Sequence, residues 1–348
     1  MRKLTLMLVA LVAATPGVLP AQDSTDAPKK PKPAKALFAA NTPITIKLTA
    51  DFKATFKNRD TTKSKKEWFP ATLSWVASDS GTLPVEIATR GHYRLKAGTC
   101  SFPGLRVRFP KDKTEGTIWK GQGTLKLGTH CKSGNPRYLQ IPLQEYSIYR
   151  IYNALTDSSL RARLASATYI DTGDANKTAA APAFFIEDDD DFGDRIGAEA
   201  LKQTGATFDD LDPGIGAMLS IFEYMVGNTD WSLPFLHNVR LFRQGVTYIA
   251  IPYDFDWSGL VDAPYAFPDY RLGTKSVTER VWRGPCVSKE SLEQMVTFFN
   301  GRKEAIYKAA SQEGIDPKLL KDTTRYLDEF FKLLNDPYKA NGELRVKC

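Results

Sequence analysis

The chain of 348 residues lacks several features that would assign it to a common class of protein. It contains no Walker loop, no Gly-x-Ser-x-Gly and no His-Glu-x-x-His, which are signatures of P-loop proteins, serine hydrolases and zinc proteases. After the N-terminus no run of about 18 apolar residues occurs that could span a bilayer. No basic helix interleaved with aromatic residues suggests nucleic-acid binding. The composition, 42% hydrophobic and 25% charged, is ordinary for a globular protein and identifies no function.

Cysteine and histidine are scarce, with four and three copies respectively. No Cys-x-x-Cys occurs, and a structural zinc site on Cys131 and the adjacent His130 stays open as an alternative. An even number of cysteines is typical of disulfide pairing in an oxidising compartment. Of the three possible connectivities, proximity in the sequence favours Cys100 with Cys131 and Cys286 with Cys348.

The N-terminus has the pattern of a secretory signal peptide. Arg2 and Lys3 precede an apolar run, and small residues end the segment at Ala21, which predicts a signal peptide over residues 1–21. Residues 22–41 begin with a stretch rich in Pro, Lys and Ala and are predicted to form a flexible tether. We therefore expect a secreted or periplasmic protein without a transmembrane segment. Of the formal charge of +7, the folded part retains about +3, so its surface is only mildly basic.

The remaining sequence divides into two parts. Residues 42–187 are predicted to form a β-rich N-terminal lobe, because short alternating runs occur at 44–48, 71–76, 85–89, 105–109 and 123–127 and favour antiparallel strands. One helix is expected over 139–155, and two more strands at 166–170 and 183–187. Residues 188–348 are predicted to form a mainly helical C-terminal lobe, with helices at 208–226, 288–312 and 316–334 and a hairpin over 239–251. The predicted fold class is α+β.

The most informative segment follows the helix predicted over 208–226. The motif Gly227-Asn228-Thr229-Asp230 begins at a natural helix stop, and Asn238 comes eight residues after its aspartate. Asp254 and Asp256 follow the predicted hairpin. A carboxylate that accepts a proton, together with amide and carboxylate oxygens, is the set that Mg²⁺ or Mn²⁺ bound to a nucleotide requires. The spacing is therefore typical of a phosphotransferase.

Each of these pieces also has a purely structural interpretation. The motif at 227–230 could be a helix C-cap followed by an Asx turn, and the Asp-Phe-Asp segment at 254–256 could cap the next element. The acidic run at 187–191 invites a calcium interpretation, but it lacks the spacing of an EF-hand loop. A solvated acidic loop, or a hinge beside a nucleotide, is favoured there. His237 is a further candidate base, although Asp230 and Asn238 account for the segment without it.

Between about residues 85 and 257 the chain resembles the spore-coat-protein-H-like (CotH) kinases, a family of secreted atypical kinases. The run Val85-Glu86-Ile87-Ala88-Thr89-Arg90-Gly91 is similar to a family strand that ends in Arg-Gly, and Phe184-Phe185-Ile186-Glu187-Asp188 is similar to its hinge strand. The motif at 227–230 with Asn238, and the segment 252–256, resemble its catalytic loop and metal-binding segment. The resemblance implies a bilobal protein-kinase-like fold, whose element order the predicted strands and helices follow.

The resemblance also implies a role for each matching residue. Asp230 corresponds to the catalytic aspartate, Asn238 to a metal ligand and Asp254 to the metal-binding aspartate, with Asp256 as a competitor for that last role. Glu187 closes the hinge strand beside the nucleotide. The implied cofactor is ATP with Mg²⁺ or Mn²⁺, and the implied partner is a hydroxyl-bearing acceptor such as a protein.

A cation is expected on the nucleotide phosphates, and the sequence leaves its identity open. Lys126 precedes a helix that carries Glu145, which is the order of a lysine paired with a helix carboxylate. Arg106 and Arg108 fall near the position where the family carries basic residues. There is no glycine-rich phosphate loop of the eukaryotic kinase type.

Three functions are consistent with these residues. The first is an exported phosphotransferase that uses ATP and a divalent metal. The second is a secreted binding or scaffold protein that keeps the fold without catalysis. Because ATP is scarce outside the cytoplasm, export favours this second function, or a phosphotransferase that uses an unusual phosphoryl donor. The third is a metal-dependent hydrolase or glycan-active enzyme built on the same carboxylates.

Overall fold

The computed structural model describes residues 29–59, 67–345 and 348. The predicted signal peptide and the first residues of the predicted tether lie outside this part of the chain. Residues 29–41 of the predicted tether lie along the folded domain, where ion pairs join Lys29 and Lys32 to Asp194 at 2.5 and 2.8 Å. A short 3₁₀ helix, Ala36–Phe38, buries Leu37. The folded domain therefore begins before residue 42, the predicted boundary.

Seven strands form a closed barrel. They are β1 (Ile44–Ala50), β2 (Phe69–Val76), β3 (Ser80–Arg90), β4 (Gly104–Arg108), β5 (Thr124–Gly128), β6 (Ala162–Asp171) and β7 (Lys177–Ile186), and a one-turn helix α1 (Phe52–Thr55) follows β1. Neighbours around the barrel run in the order β1, β2, β3, β4, β5, β7, β6. Each strand predicted in this part of the sequence is present, because alternating apolar residues line the barrel interior on one face of each strand.

The barrel closes through a pairing that the sequence did not indicate. β1 and β6 are parallel, with Ile44 opposite Ala165 and Ala50 opposite Asp171, whereas the other neighbours are antiparallel. The prediction of a bilobal protein-kinase-like fold is wrong, since the structure contains a closed barrel, a separate small sheet and eight helices over the described residues. Periodicity identifies strands but does not identify the partner of a strand that is distant in the sequence.

Seven α-helices and three strands lie outside the barrel over the described residues. They are α2 (Pro136–Leu155), α3 (Asp189–Ile196), β8 (Glu199–Leu201), α4 (Pro213–Val226), β9 (Val239–Gln244), β10 (Thr247–Pro252), α5 (Lys289–Gly301), α6 (Lys303–Ala310), α7 (Pro317–Leu334) and α8 (Pro337–Leu344). β8, β9 and β10 form a three-stranded antiparallel sheet. The acidic run expected to be a loop or hinge instead begins α3, where the Asp188 side chain caps the Asp190 N–H at 3.1 Å. Acidic side chains at this end are favoured by the helix dipole.

Helix α2 lies at the centre of the molecule. It packs against β6, β7 and α6, and most of its side chains are buried. Consequently it buries polar residues as well as apolar ones, including Gln144 and Glu145. A buried polar group needs a partner, and Gln144 finds its partners in the Arg137 guanidinium at 2.7 Å and the Leu260 carbonyl oxygen at 3.2 Å.

Both predicted disulfides are confirmed. Cys100 pairs with Cys131 and Cys286 with Cys348, with Cα atoms 4.6 and 4.9 Å apart. The zinc alternative for Cys131 is therefore excluded, because its sulfur is in a disulfide. No helix in the described ranges is both long and apolar enough to cross a membrane.

His130 makes folding stability dependent on pH. Its ring is fully buried against Phe102, its Nε2 lies 2.8 Å from the Ser133 hydroxyl, and its Nδ1 has no hydrogen-bond partner. Burial, and then the charge of Arg94, lower the pKa of His130 to about 4. The folded protein therefore holds this ring neutral over a range in which the unfolded chain binds a proton.

We expect the free energy of unfolding to fall by about 2 to 3 kcal/mol from this residue alone between pH 7 and pH 4.5. The full stability is present above the His130 pKa of about 6.5 in the unfolded chain. It is lost as the pH falls toward the lower pKa of this ring in the folded protein. Urea unfolding at both pH values, on wild type and His130→Gln, measures it. His92→Gln, at an exposed position, is the control, and an equal pH dependence in wild type and His130→Gln would contradict the assignment.

Candidate functional site

A cavity of about 410 Å³ opens between the C-terminal end of β3 and the loops that follow α4 and β10. Its wall includes Asp230, Asn238, Asp254 and Asp256. The structure thus brings the predicted catalytic residue and the three predicted metal ligands to one cavity. Arginine and aromatic side chains complete the wall, among them Arg90, Arg94, Tyr93 and Trp257.

The loop that carries Asp230 is shaped by the end of α4. Gly227 ends this helix in the left-handed region, with φ of 66°, where a side chain would be strained and would also meet the Tyr326 hydroxyl. The Asn228 Oδ1 then accepts a hydrogen bond from the Asp230 N–H at 3.0 Å. The Asx turn offered as a structural interpretation is therefore present, and it positions Asp230 at the cavity.

Two side chains hold the Asp230 carboxylate. The His237 Nε2 lies 3.0 Å from its Oδ1, and the Asn238 Nδ2 donates to its Oδ2, also at 3.0 Å. The hydrogen bond to Asp230 raises the pKa of His237. Asn238 adopts a left-handed backbone with φ of 51°, a conformation that asparagine tolerates better than most residues. This geometry leaves Asp230 oriented, with about two fifths of its side chain exposed.

Asp254 and Asp256 differ in their surroundings. The Asp254 N–H donates to the Tyr149 hydroxyl at 3.0 Å, and its φ of 64° is again left-handed. The Asp254 carboxylate is partly exposed and lies 3.7 Å from Arg90. Asp256 is buried and accepts a hydrogen bond from the Tyr265 hydroxyl at 2.7 Å. Burial, and then the charge of Asp254, raise the pKa of Asp256 to about 6.

A third carboxyl group, Glu145 of α2, lies behind these two. It is 3% exposed, and burial followed by the charges of Asp256 and Asp254 raises its pKa well above the usual range. Arg94, 3.8 Å from Asp256, and Arg90 are the cations that offset this acidic group. Because like charges so close together repel, a further cation at this end of the cavity would be stabilised.

The order of elements along the chain had suggested that Lys126 pairs with Glu145. In the structure Lys126 pairs with a different carboxylate. Its Nζ lies 3.4 Å from Asp189 at the start of α3, and Arg240 of β9 contacts the same carboxylate at 2.8 Å. Arg106 is opposite Lys126 in the β4 and β5 register. Burial, and then the neighbouring cations, lower the pKa of Lys126 although Asp189 opposes this. We call Arg106, Lys126 and Arg240 the basic cluster.

Glu187 is engaged in a structural ion pair. Its Oε1 and Oε2 accept hydrogen bonds from the Arg195 guanidinium at 2.8 and 2.9 Å, and Oε2 also accepts from the Arg161 N–H. Both partners are buried. Both carboxylate oxygens of Glu187 are therefore engaged within the protein.

The donor set fits a divalent cation that is shared with a ligand. Asn238 Oδ1 and the Asp254 carboxylate accept no hydrogen bond from the described residues, and both are hard oxygen donors of the kind that Mg²⁺ and Mn²⁺ prefer. Over the same residues, no three His, Cys, Asp or Glu side chains are arranged to enclose an ion. Mg²⁺ commonly takes only one or two carboxylates and completes its shell with phosphate oxygens and water.

Sequence reasoning missed Arg94, Tyr149, Tyr265, Asp189 and Arg240 as parts of this region. The aspartate belonged to a visible acidic run, but the other four had no recognised motif around them. Their contacts join elements that are distant in the sequence, such as α2 with the loop after β10 and α3 with β9. The spacing of residues along the chain therefore does not predict these contacts.

Comparison with protein-family models finds no match for this chain. Comparison with curated proteins likewise finds no relative.

Proposed function

We propose that this protein is an exported, metal-dependent phosphotransferase that transfers a phosphoryl group from ATP to a hydroxyl acceptor. The observation that carries the proposal is that three groups occur together in and near the cavity. They are an oriented Asp230 carboxylate, the oxygen donors of Asn238 and Asp254, and the basic cluster. These are the parts that phosphoryl transfer requires, because the reaction depends on positioning and on charge neutralisation rather than on covalent catalysis by the protein. The motif at 227–230 with Asn238 and the segment 252–256, which resemble the catalytic loop and metal-binding segment of the CotH kinases, support the same activity although the fold differs.

In the proposed reaction the acceptor oxygen attacks the γ-phosphorus of ATP, the bond from that phosphorus to its bridging oxygen breaks, and ADP leaves. Asp230 orients the acceptor hydroxyl and takes its proton. Asn238 holds the Asp230 carboxylate through its amide and, with Asp254, would hold Mg²⁺ or Mn²⁺. The bound ion would neutralise charge on the phosphates. Arg90, which lines the cavity, and the basic cluster would bind the phosphates.

The disulfides and the predicted signal peptide bear on where the protein acts. The two disulfides are compatible with an oxidising compartment, outside the cell or in the periplasm. Such a location agrees with the signal peptide predicted from the sequence, and we include export in the proposal.

A second function, a binding protein without catalysis, is favoured by one observation. Arg90 and Arg94 lie 3.7 and 3.8 Å from Asp254 and Asp256, so these carboxylates already have cationic neighbours. If the arginines keep those positions when ATP is present, the carboxylates would remain paired with them and hold no metal. The following experiment separates the two functions.

We expect ATP to bind with Mg²⁺ or Mn²⁺ and to bind at least about tenfold more weakly after chelation, because the phosphates and the acidic wall repel one another. Isothermal titration calorimetry measures both affinities. Asp254→Asn should lose the metal dependence, while Asp174→Asn, in the exposed turn between β6 and β7, is the matched control. Equal affinity with and without metal would refute the proposed metal site, and no binding of ATP at all would refute the phosphotransferase.

A further inference from the structure

A buried carboxyl group lies beneath the loop that presents Asp230, and the proposed reaction does not use it. Glu223 of α4 is 1% exposed. Neither of its carboxyl oxygens has a hydrogen bond of ordinary geometry among the described residues. An acidic side chain in such a place costs stability, and a leucine at this position of the helix would avoid the cost.

The Glu223 side chain faces Asn228, the residue that holds the Asp230 backbone. The two residues are joined through the main chain, where the Asn228 N–H donates to the Glu223 carbonyl oxygen at 2.9 Å. The Asn228 Nδ2 is buried and, like the Glu223 oxygens, has no hydrogen bond of ordinary geometry among the described residues, but it lies close enough to the Glu223 carboxyl to favour its ionised form. A small adjustment would therefore satisfy both groups at once.

The charge state of Glu223 follows from its surroundings. Burial is the largest effect and raises its pKa well above the usual range. Asp230 acts in the same direction, whereas Asn228 and Arg283 oppose it. The nearby Tyr152 hydroxyl is also buried without a partner. Burial therefore favours the protonated form of Glu223, which has a proton to donate as well as an oxygen that accepts.

We propose that Glu223 is a positioning residue for Asp230: through the Asn228 side chain it fixes the loop that directs the Asp230 carboxylate into the cavity. The order of contacts supports this role. Glu223 faces the amide nitrogen of Asn228, and the amide oxygen of the same side chain accepts from the Asp230 N–H at 3.0 Å. Asn228 therefore cannot turn without breaking the bond that shapes the loop. The inference rests on the proposed phosphotransferase only for its effect on turnover.

Two substitutions at Glu223 test the role. Glu223→Gln keeps the shape and carries no charge, and its amide can serve as both donor and acceptor, so we expect kcat within about threefold of wild type. Glu223→Leu removes both, and a misplaced Asp230 should lower kcat by about tenfold to a hundredfold while the Kd for ATP with Mg²⁺ changes less than about twofold. Ile221→Val, on the same helix and equally buried, controls for a general loss of packing.

Hydrogen exchange at the Asp230 amide is a second readout that does not depend on catalysis. We expect faster exchange in Glu223→Leu, and wild-type exchange in Glu223→Gln and Ile221→Val. Unchanged exchange and unchanged kcat in folded Glu223→Leu would overturn the role, as would equal losses in Glu223→Leu and Ile221→Val. If wild type transferred no phosphate, the proposed function would fail, and the exchange rates alone would still support or overturn the positioning role.

Discussion

Replacing Asp230 by asparagine is expected to lower phosphoryl transfer by about a hundredfold to ten-thousandfold while metal-dependent ATP binding stays close to wild type. The carboxylate acts on the acceptor side in the proposed reaction, whereas Asn238 and Asp254 act on the side of the nucleotide. An asparagine can keep both existing contacts, with its Oδ1 toward Asn238 and its amide toward the His237 ring. The substitution therefore removes the proton acceptor without removing its support.

The measurement is steady-state transfer from ATP together with calorimetric binding of ATP and Mn²⁺. Asp174→Asn, with the same change of charge at an exposed residue that does not line the cavity, should match wild type in both assays. Loss of ATP binding in Asp230→Asn would place this residue on the nucleotide side and contradict its assignment. Turnover equal to wild type in the same variant would refute its catalytic role.

Replacing Arg195 by methionine is expected to lower the free energy of unfolding by about 3 to 5 kcal/mol, because it leaves the Glu187 carboxylate buried without its counterion. The pair is well enclosed, with side-chain exposures of 7% and 2%. Arg195 also donates to the carbonyl oxygens of Asp157 and Ser159 at 3.0 and 2.7 Å, so the substitution leaves these acceptors unpaired as well. Urea unfolding with both disulfides intact measures the loss.

Two further variants make this prediction specific. Glu187→Leu combined with Arg195→Met should recover part of the loss, because the double variant buries no lone charge. Arg325→Met removes an exposed partner of Asp322 and should change stability by less than about 1 kcal/mol. A cost in Arg195→Met no larger than in Arg325→Met would show that the buried pair is not stabilising. ATP binding by the double variant would separately test the hinge role implied for Glu187, since it should persist if the pair is structural.

The candidate site was partly accessible from the sequence because its residues follow local signals. Asp230 comes three residues after Gly227, the glycine that ends α4, and Asp254 and Asp256 follow a recognisable hairpin. Such positions can be found from spacing, since a helix stop or a strand end depends on a few neighbouring residues. The contacts of Lys126 could not be found in this way. Its partner Asp189 and the neighbouring Arg240 are distant in the sequence and meet only when α3 and β9 pack together.

The sequence by itself predicted the strands of the barrel, helices α2, α4 and α7, and the favoured pairing of the cysteines, whereas the single helix predicted over 288–312 is divided into α5 and α6 at Arg302. Each depends on a short-range pattern: alternation for strands, helical spacing for α2 and α7, and an even number of cysteines with near neighbours. The tertiary structure alone decided that β6 lies beside β1 and closes the barrel. It also decided that the buried Glu145 lies beside Asp254 and Asp256, and that Glu223 lies beneath the Asp230 loop. The reason is that these arrangements arise from packing between elements far apart in the chain. Hydrophobic burial is not directional, so no local sequence pattern identifies which element packs against which.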